Sequence, residues 1–255
     1  MPAKSETNIS APIVWVSDRK FVVQDLRENY FEDVITLLKH HYLSEEPLCR
    51  STNIIRDRVS ANAYLDRIRS WMRDTCSLVA VSKKSGRVVG AAIVRMNSFL
   101  ERTNTYSRVL ISDGQALESI MHLKNALVEQ ANIYETIEHD TYLRLYVLCV
   151  HPSYRKKGVG RALLESCFRF AWTMKIPAIG GIFTSTEEQL MVEKFGFAAL
   201  AEIPYNNWLV DEEVVFENPG PGNYSAVFMA MPTPNEDTLN LMKKAREKGE
   251  VQKKK

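Results

Sequence analysis

The sequence predicts a single α/β domain with a mixed central sheet and helices on both faces. Apolar runs of strand length alternate with segments whose apolar residues recur at helical intervals. Two apolar runs within 77–96 are joined at Ser85-Gly86, a turn typical of a β-hairpin. Because the chain contains neither an internal repeat nor a long linker, we expect one domain over 20–232, with an N-terminal extension (1–19) and a polar, basic C-terminal tail (233–255).

The remaining elements follow from periodicity and from helix-ending residues. Besides the hairpin, strands are predicted at 20–26, 141–150, 176–185, 198–205 and 225–231. Helices are predicted at 28–43, with Pro47 ending the helix, at 54–72, at 115–134, from about Gly158 to Met174, and before Gly196, which suits a C-terminal glycine cap.

Composition and charge exclude several classes of protein. The 255 residues carry a net charge of +2, and the last fourteen hold seven basic and two acidic residues, which leaves residues 1–241 at −3. We therefore expect no nucleic-acid partner and interpret the tail as a solvated, partly helical end. Four scattered cysteines and the lack of a long apolar run predict a cytoplasmic protein without a membrane partner. The five histidines show no ligand spacing, so we expect no metal.

The segment "VLCVHPSYRKKGVGRALLESC" (147–167) predicts an anion site. A strand, a turn and a helix starting near Gly158 place backbone N–H groups at the positive end of a helix dipole. A Walker A loop is excluded because its spacing and lysine are absent, and a dinucleotide fingerprint is excluded because Leu163 occupies the position of the third glycine. What remains is R-x-x-G-x-G, which is either such a site or a merely structural basic turn.

This pattern, with the strand before it and the "EKFGF" helix end after it, resembles the GCN5-related N-acetyltransferases (GNAT) over about residues 20–232. The resemblance implies a mostly antiparallel sheet of about seven strands and acetyl-CoA as co-substrate. It implies that two central strands splay apart and that the donor binds along one of them and at the basic turn. The residues implicated are Leu148, Cys149, Val150, Arg155, Lys156, Lys157, Gly158, Val159, Gly160 and Arg161.

A general base has to come from elsewhere, because the strand "LRLYVLCV" contains no carboxylate. Glu45 and Glu46 precede Pro47, where adjacent carboxylates repel and one pKa is expected to rise. The "EEPL" and "PYNNW" segments resemble those of the insect arylalkylamine N-acyltransferases, whose motif is Asp-Glu-Pro-Leu. This resemblance implies that Glu46 is the base and acts through ordered water.

Three further interpretations concern individual residues. Ser185 to Glu188 is interpreted as a capping box in preference to a catalytic pair, and Cys149 as a buried structural thiol in preference to an acyl carrier. We expect Tyr42, Tyr205 and Trp208 to line the pocket for the acceptor amine.

The function expected from the sequence is direct transfer of acetyl from acetyl-CoA to the primary amine of a small arylalkylamine in a ternary complex. The alternatives are a CoA-binding sensor or partner protein without turnover, and a protein or polyamine N-acetyltransferase. The oligomeric state stays open, with a monomer favoured.

Overall fold

The computed structural model describes residues 11–101 and 114–252. Eight strands form one sheet in the order β1-β2-β3-β4-β5-β6-β10-β7, in which the β5–β6 pair is parallel and the other pairs are antiparallel. The strands of this sheet are β1 (Val14–Ser17), β2 (Phe21–Asp25), β3 (Leu78–Ser82), β4 (Val88–Ser98), β5 (Thr141–Val150), β6 (Ala178–Phe183), β7 (Ala198–Pro204) and β10 (Ser225–Pro232). A separate short hairpin consists of β8 (Leu209–Val210) and β9 (Glu213–Val214).

The mixed, mostly antiparallel fold class is confirmed, with eight strands in the sheet where about seven were expected. The additional strand is β1, which lies inside the predicted N-terminal extension and pairs with β2. Its four residues include only one that is fully buried, Val16, so its hydrophobic pattern is weak in the sequence. Residues 1–10 of that extension lie outside the described residues.

Helices cover both faces of the sheet. The longer ones are α4 (Arg58–Met72), α5 (Gln115–Ala131), α7 (Val159–Thr173) and α9 (Glu236–Gln252), and the shorter ones are α1 (Phe31–Leu37), α2 (Leu43–Glu45), α3 (Pro47–Ser51), α6 (Ile133–Ile137) and α8 (Thr186–Glu193). Alternation along the strands divides the interior into two cores, so that Val79 packs with α1, α4 and α5, whereas Leu78 packs with α7. This arrangement confirms the helices predicted on both faces.

The strands β5 and β6 pair over only three residues each before they separate. Their parallel register runs from Leu143–Ile179 to Leu145–Gly181. Directly after this point β5 contains an extra residue, Tyr146, because Val94 of β4 faces Leu145 while Ile93 faces Val147. A bulge of this kind bends a strand locally. It therefore accounts for the gap that opens between the carboxyl ends of β5 and β6.

The predicted helix at 28–43 is interrupted by a π-helical turn, Leu38–Tyr42, which continues into α2. The chain becomes extended at Glu46, where ψ is 130°, and Pro47 then opens α3 as its first residue. Pro47 therefore begins a helix as well as limiting the one before it, as expected of proline at the first helical position.

The C-terminal tail is helical, and part of it packs on the domain. Leu239 of α9 is 4% exposed and belongs to the core around α7. The expected partial helix is therefore present, but its first turns are not a free solvated end. Within the described ranges, no helix is both long and apolar enough to cross a membrane.

Candidate active site

A pocket of about 670 Å³ opens where β5 and β6 separate. Its walls come from the end of β5, the loop before α7, the start of α8 and the turn that joins α2 to α3. The lining includes the predicted residues Tyr42, Glu46, Leu148, Cys149, Val150, Arg155, Lys156, Gly158, Gly160 and Arg161. Two regions about one hundred residues apart in the sequence therefore meet in one cavity.

The outer end of the pocket is formed by the anion-site loop (155–158) and the first turn of α7. Lys156 and Gly158 have positive φ angles, 57° and 87°, which turn the chain sharply into the helix. The first intrahelical bond runs from the N–H of Ala162 to the carbonyl of Gly158. The N–H groups of residues 159–161 lie before this bond and therefore have no partner within the helix. These groups and the helix dipole favour an anion at this position.

Two of the three basic residues of this loop, Arg155 and Lys157, already have protein partners. Arg155 donates from Nε to the Val150 carbonyl over 3.1 Å and forms an ion pair with Glu45 over 2.5 Å. Lys157 donates to the Ser153 carbonyl over 2.6 Å. Val159 does not face the pocket but is buried in the core behind α7.

The edge of β5 that faces the gap offers backbone groups to a ligand. The N–H of His151 donates to Val89 of β4, and alternation along a strand directs the N–H groups of Val150 and Leu148 to the opposite side. Cys149, between them, is 5% exposed, and burial raises the pKa of its thiol to about 12. The interpretation of Cys149 as a buried, inert thiol is therefore supported.

Glu46 lies deeper in the same pocket and is held by hydrogen bonds on both carboxylate oxygens. Oε2 accepts from the N–H of Cys49 over 2.7 Å, which makes Glu46 the N-cap of α3. Oε1 accepts from the hydroxyl of Thr184, at the end of β6, also over 2.7 Å. Glu46 is 8% exposed, so its carboxylate is fixed and largely shielded from bulk water.

The neighbouring carboxylate of Glu45 points to different partners. It contacts Arg155, and it lies 3.8 Å from Nδ1 of His41. The two glutamates were expected to repel each other on a loop, but each is compensated separately. Glu45 connects the turn before α3 with the anion-site loop, whereas Glu46 connects it with β6.

The innermost part of the site is a void of about 20 Å³, large enough for roughly one water molecule. Glu46, Glu188, Tyr42, Tyr146 and Lys124 line it. Lys124 is 5% exposed and donates from Nζ to the Tyr64 hydroxyl over 2.8 Å. Burial, followed by the negative charge of Glu46, raises the pKa of Glu188 to about 7.

The three aromatic residues proposed for the acceptor pocket occupy different environments. Tyr42 lines both the open pocket and the inner void. Tyr205 is 3% exposed and donates its hydroxyl to the Thr184 carbonyl over 2.5 Å, beneath the site. Trp208 packs partly buried against the core on the side of α4 and α5.

Glu188 has two roles in the local structure, of which the sequence predicted one. The Ser185 hydroxyl accepts from the Glu188 N–H over 3.3 Å, which confirms the predicted N-terminal cap of α8. The same residue places a second carboxylate beside Glu46, and sequence reasoning missed this proximity. Lys124 was also missed, because a lysine on an amphipathic helix is normally solvated.

Within the ranges 11–101 and 114–252, His, Cys, Asp and Glu side chains form no group of three that could hold a metal ion.

Comparison with known proteins identifies the class of domain. Residues 118–199, which include β5, the anion-site loop, α7 and β6, match the family model described as an acetyltransferase (GNAT) domain. The match covers the segment that carries the R-x-x-G-x-G pattern. This part of the chain is therefore similar to the GNAT acetyltransferase domain.

Solved structures extend the similarity to most of the chain. Arylalkylamine N-acetyltransferase 2 from the mosquito Aedes aegypti superposes with a TM-score of 0.75 at 19% identity, over 84% of this chain and 99% of the other. The Drosophila melanogaster polyamine N-acetyltransferase, which catalyses the formation of N-acetylagmatine, gives 0.74 at 21% identity, over 83% and 99%. A mosquito arylalkylamine N-acetyltransferase-like protein, 5b, gives 0.71 at 18% identity, over the same shares of each chain. The fold is thus that of the arylalkylamine N-acetyltransferases.

Proposed function

We propose that this protein is an acyl-CoA-dependent N-acyltransferase that transfers acetyl from acetyl-CoA to the primary amine of a small arylalkylamine. The observation that carries the proposal is the position of Glu46. Its carboxylate lines the same pocket as the β5 edge and the N-terminus of α7. The groups proposed to bind the donor and the proposed base thus line one cavity.

The donor end of the pocket fits the chemistry of coenzyme A. The pyrophosphate would accept hydrogen bonds from the N–H groups of residues 159–161, which precede the first intrahelical bond of α7. Gly158 has a φ of 87°, and an added Cβ there would meet no atom within 4 Å, so the ligand can approach the backbone closely. The pantetheine arm would lie along the β5 edge, in the gap that the Tyr146 bulge opens.

Glu46 would generate the nucleophile. An amine with the pKa of lysine lies about three units above neutrality, so forming the free base costs roughly 4 kcal/mol. In the proposed reaction the Glu46 carboxylate accepts one proton from the ammonium through water, and the nitrogen lone pair attacks the thioester carbonyl. The backbone N–H groups of Leu148 and Val150 point into the gap, where one of them would stabilise the oxyanion. The carbon–sulfur bond then breaks, and the departing thiolate takes up the second proton, which the attacking nitrogen loses as the amide forms.

A polyamine or agmatine acceptor is the second candidate, and the carboxylates of the pocket are the observation that favours it. Four glutamates, Glu45, Glu46, Glu187 and Glu188, line the cavity. A second cationic group on the acceptor would be attracted to carboxylates away from the reacting amine. Glu45, however, is already paired with Arg155, and Lys124 opposes a second positive charge in the inner void.

The function is tested by steady-state kinetics with acetyl-CoA and a panel of arylalkylamines, agmatine and polyamines. We expect turnover of at least one amine, and we expect Glu46→Gln to reduce kcat/KM by about 100-fold or more. The matched control is Glu187→Gln, an exposed carboxylate lining the same pocket, which should remain close to wild type. The affinity for CoA should be unchanged in both variants.

Two outcomes would contradict the proposal in different ways. An unchanged kcat/KM and pH profile in Glu46→Gln would remove Glu46 as the base. If CoA raised the Tm but no small amine, polyamine or peptide was acylated, the sensor hypothesis would replace the enzyme hypothesis. Acylation of peptides without acylation of small amines would instead favour a protein N-acetyltransferase.

A further inference from the structure

A buried carboxylate on α7 connects the C-terminal helix to the anion site. The Glu165 side chain is 2% exposed and contacts two guanidinium groups. Its Oε1 accepts from Nε of Arg161 over 2.8 Å, and its Oε2 accepts from Nη1 of Arg246 over 2.7 Å. Both oxygens of one buried anion are therefore shared between two cations.

The two arginines occupy very different positions. Arg161 lies one turn before Glu165 on α7, lines the donor pocket and has a side chain that is 48% exposed. Arg246 lies on α9, and its side chain is 17% exposed. The helix α9 is held against α7 by the buried Leu239, whose carbonyl also accepts from Arg169 over 3.2 Å.

The charges of Glu165, Arg161 and Arg246 do not cancel. A buried carboxylate needs a compensating partner, because its desolvation is costly. With both arginines present, the cluster carries a net charge of +1, and Arg161 is the member that faces the pocket. Without Arg246, the pair formed by Glu165 and Arg161 would be neutral, and the buried carboxylate would hold the Arg161 guanidinium more tightly.

We propose that Arg246 is a positioning residue for the phosphate end of the acyl-CoA site. It compensates Glu165, so that Arg161 keeps its positive charge available to the bound ligand. This role gives a function to part of the basic tail, which composition alone indicated to be solvated. It rests on the proposed function only in the identity of the ligand, coenzyme A.

The test is calorimetric measurement of CoA binding to the full chain. Arg246→Gln should raise the Kd for CoA by roughly three- to tenfold and raise KM for acetyl-CoA, with KM for the amine unchanged. Arg246→Lys should recover part of the affinity. Lys243→Gln removes an equal charge from an exposed position of the same helix and should stay within about twofold of wild type. An unchanged Kd in Arg246→Gln would overturn the proposal.

A second substitution distinguishes a role of Arg246 in positioning Arg161 from a role in packing α9 against the domain. In the double variant Arg246→Gln, Glu165→Gln, the carboxylate that holds Arg161 is gone, so the affinity for CoA should return toward wild type. If α9 mattered only as a packing element, the second substitution would not restore binding. That result would also overturn the proposal.

Glu165→Gln by itself provides a test that does not depend on the stability of Arg246→Gln. It should bind CoA at least as tightly as wild type, because Arg161 is released. A weaker affinity would contradict the proposal. CoA binding is measured without an acceptor amine. If the protein were not an acyltransferase, the variants would therefore show no turnover but would keep these differences in CoA affinity.

Discussion

The hydroxyl of Thr184 donates a hydrogen bond to Oε1 of Glu46 over 2.7 Å, across 138 residues of chain. Thr184 is 4% exposed and follows β6, whereas Glu46 caps α3. The bond ties the candidate base to the strand that forms one side of the β5–β6 gap. It therefore fixes the carboxylate beside the gap in which the thioester of the proposed donor would lie.

Thr184→Val should impair catalysis without impairing donor binding. Valine keeps the shape of threonine but cannot donate, so Glu46 loses its hydrogen bond to the end of β6. We expect kcat/KM for the amine to fall by roughly tenfold, corresponding to about 1.4 kcal/mol of transition-state stabilisation. The Kd for CoA should not change. Thr184→Ser retains the hydroxyl and should remain near wild type, and equal activity of the valine and serine variants would contradict the role assigned to this bond.

Gly181→Ala should destabilise the fold. A Cβ at Gly181 would lie 2.8 Å from the carbonyl oxygen of Leu145, at the last paired position of β5 and β6. The neighbouring atom belongs to the backbone, so one strand has to move. We expect the free energy of unfolding to fall by about 1–3 kcal/mol, measured by urea denaturation. An unchanged unfolding midpoint would show that the strands can separate at this point without cost.

Gly160→Ala should raise the stability of the folded protein but weaken the binding of CoA. Position 160 is helical, and an added Cβ meets only Val150 Cγ2 at 3.6 Å, an ordinary contact. Alanine should therefore stabilise α7 by up to about 1 kcal/mol. The extra methyl group lines the donor pocket, so the Kd for CoA should rise by several-fold. A variant that is more stable and binds CoA normally would argue against close approach of the ligand to this backbone.

The sequence predicted the local elements of the donor site well and its long-range contacts poorly. The bounds of β5 and the start of α7 follow from an apolar run, a proline turn and two glycines, all of which act within a few residues. The Thr184–Glu46 bond joins residues 138 apart, and the Glu165–Arg246 ion pair joins residues 81 apart. No local sequence pattern predicts contacts over such separations. The bulge at Tyr146 was not predicted either, since it depends on the register with β4.

Cys149 should be dispensable for turnover. Its thiol lies at the β5 edge, but burial raises its pKa to about 12, so the thiolate is scarce at neutral pH. Cys149→Ala should keep kcat within a few-fold of wild type, and initial-rate plots against acetyl-CoA and amine should intersect, as for a ternary complex. Parallel plots, together with loss of activity in the alanine variant, would instead establish an acyl-enzyme.

Glu188 should make the stability of the folded protein depend on pH near neutrality. Burial and the charge of Glu46 raise its pKa to about 7, above the value of 4.5 expected in the unfolded chain. Between these two values the folded state binds more protons than the unfolded state, so the stability contributed by Glu188 is present at low pH. It is lost as the pH rises through about 7.

Glu188→Gln removes this titration. Relative to the variant, the wild-type protein should lose on the order of 1–3 kcal/mol of unfolding free energy between pH 5 and pH 8. Urea denaturation at several pH values measures the difference, and Glu187→Gln, an exposed neighbour on the same helix turn, serves as the matched control. If the Glu188→Gln and wild-type stabilities changed in parallel with pH, the carboxylate would have to be ionised throughout this range. Glu46 would then have a permanently charged neighbour in the inner void.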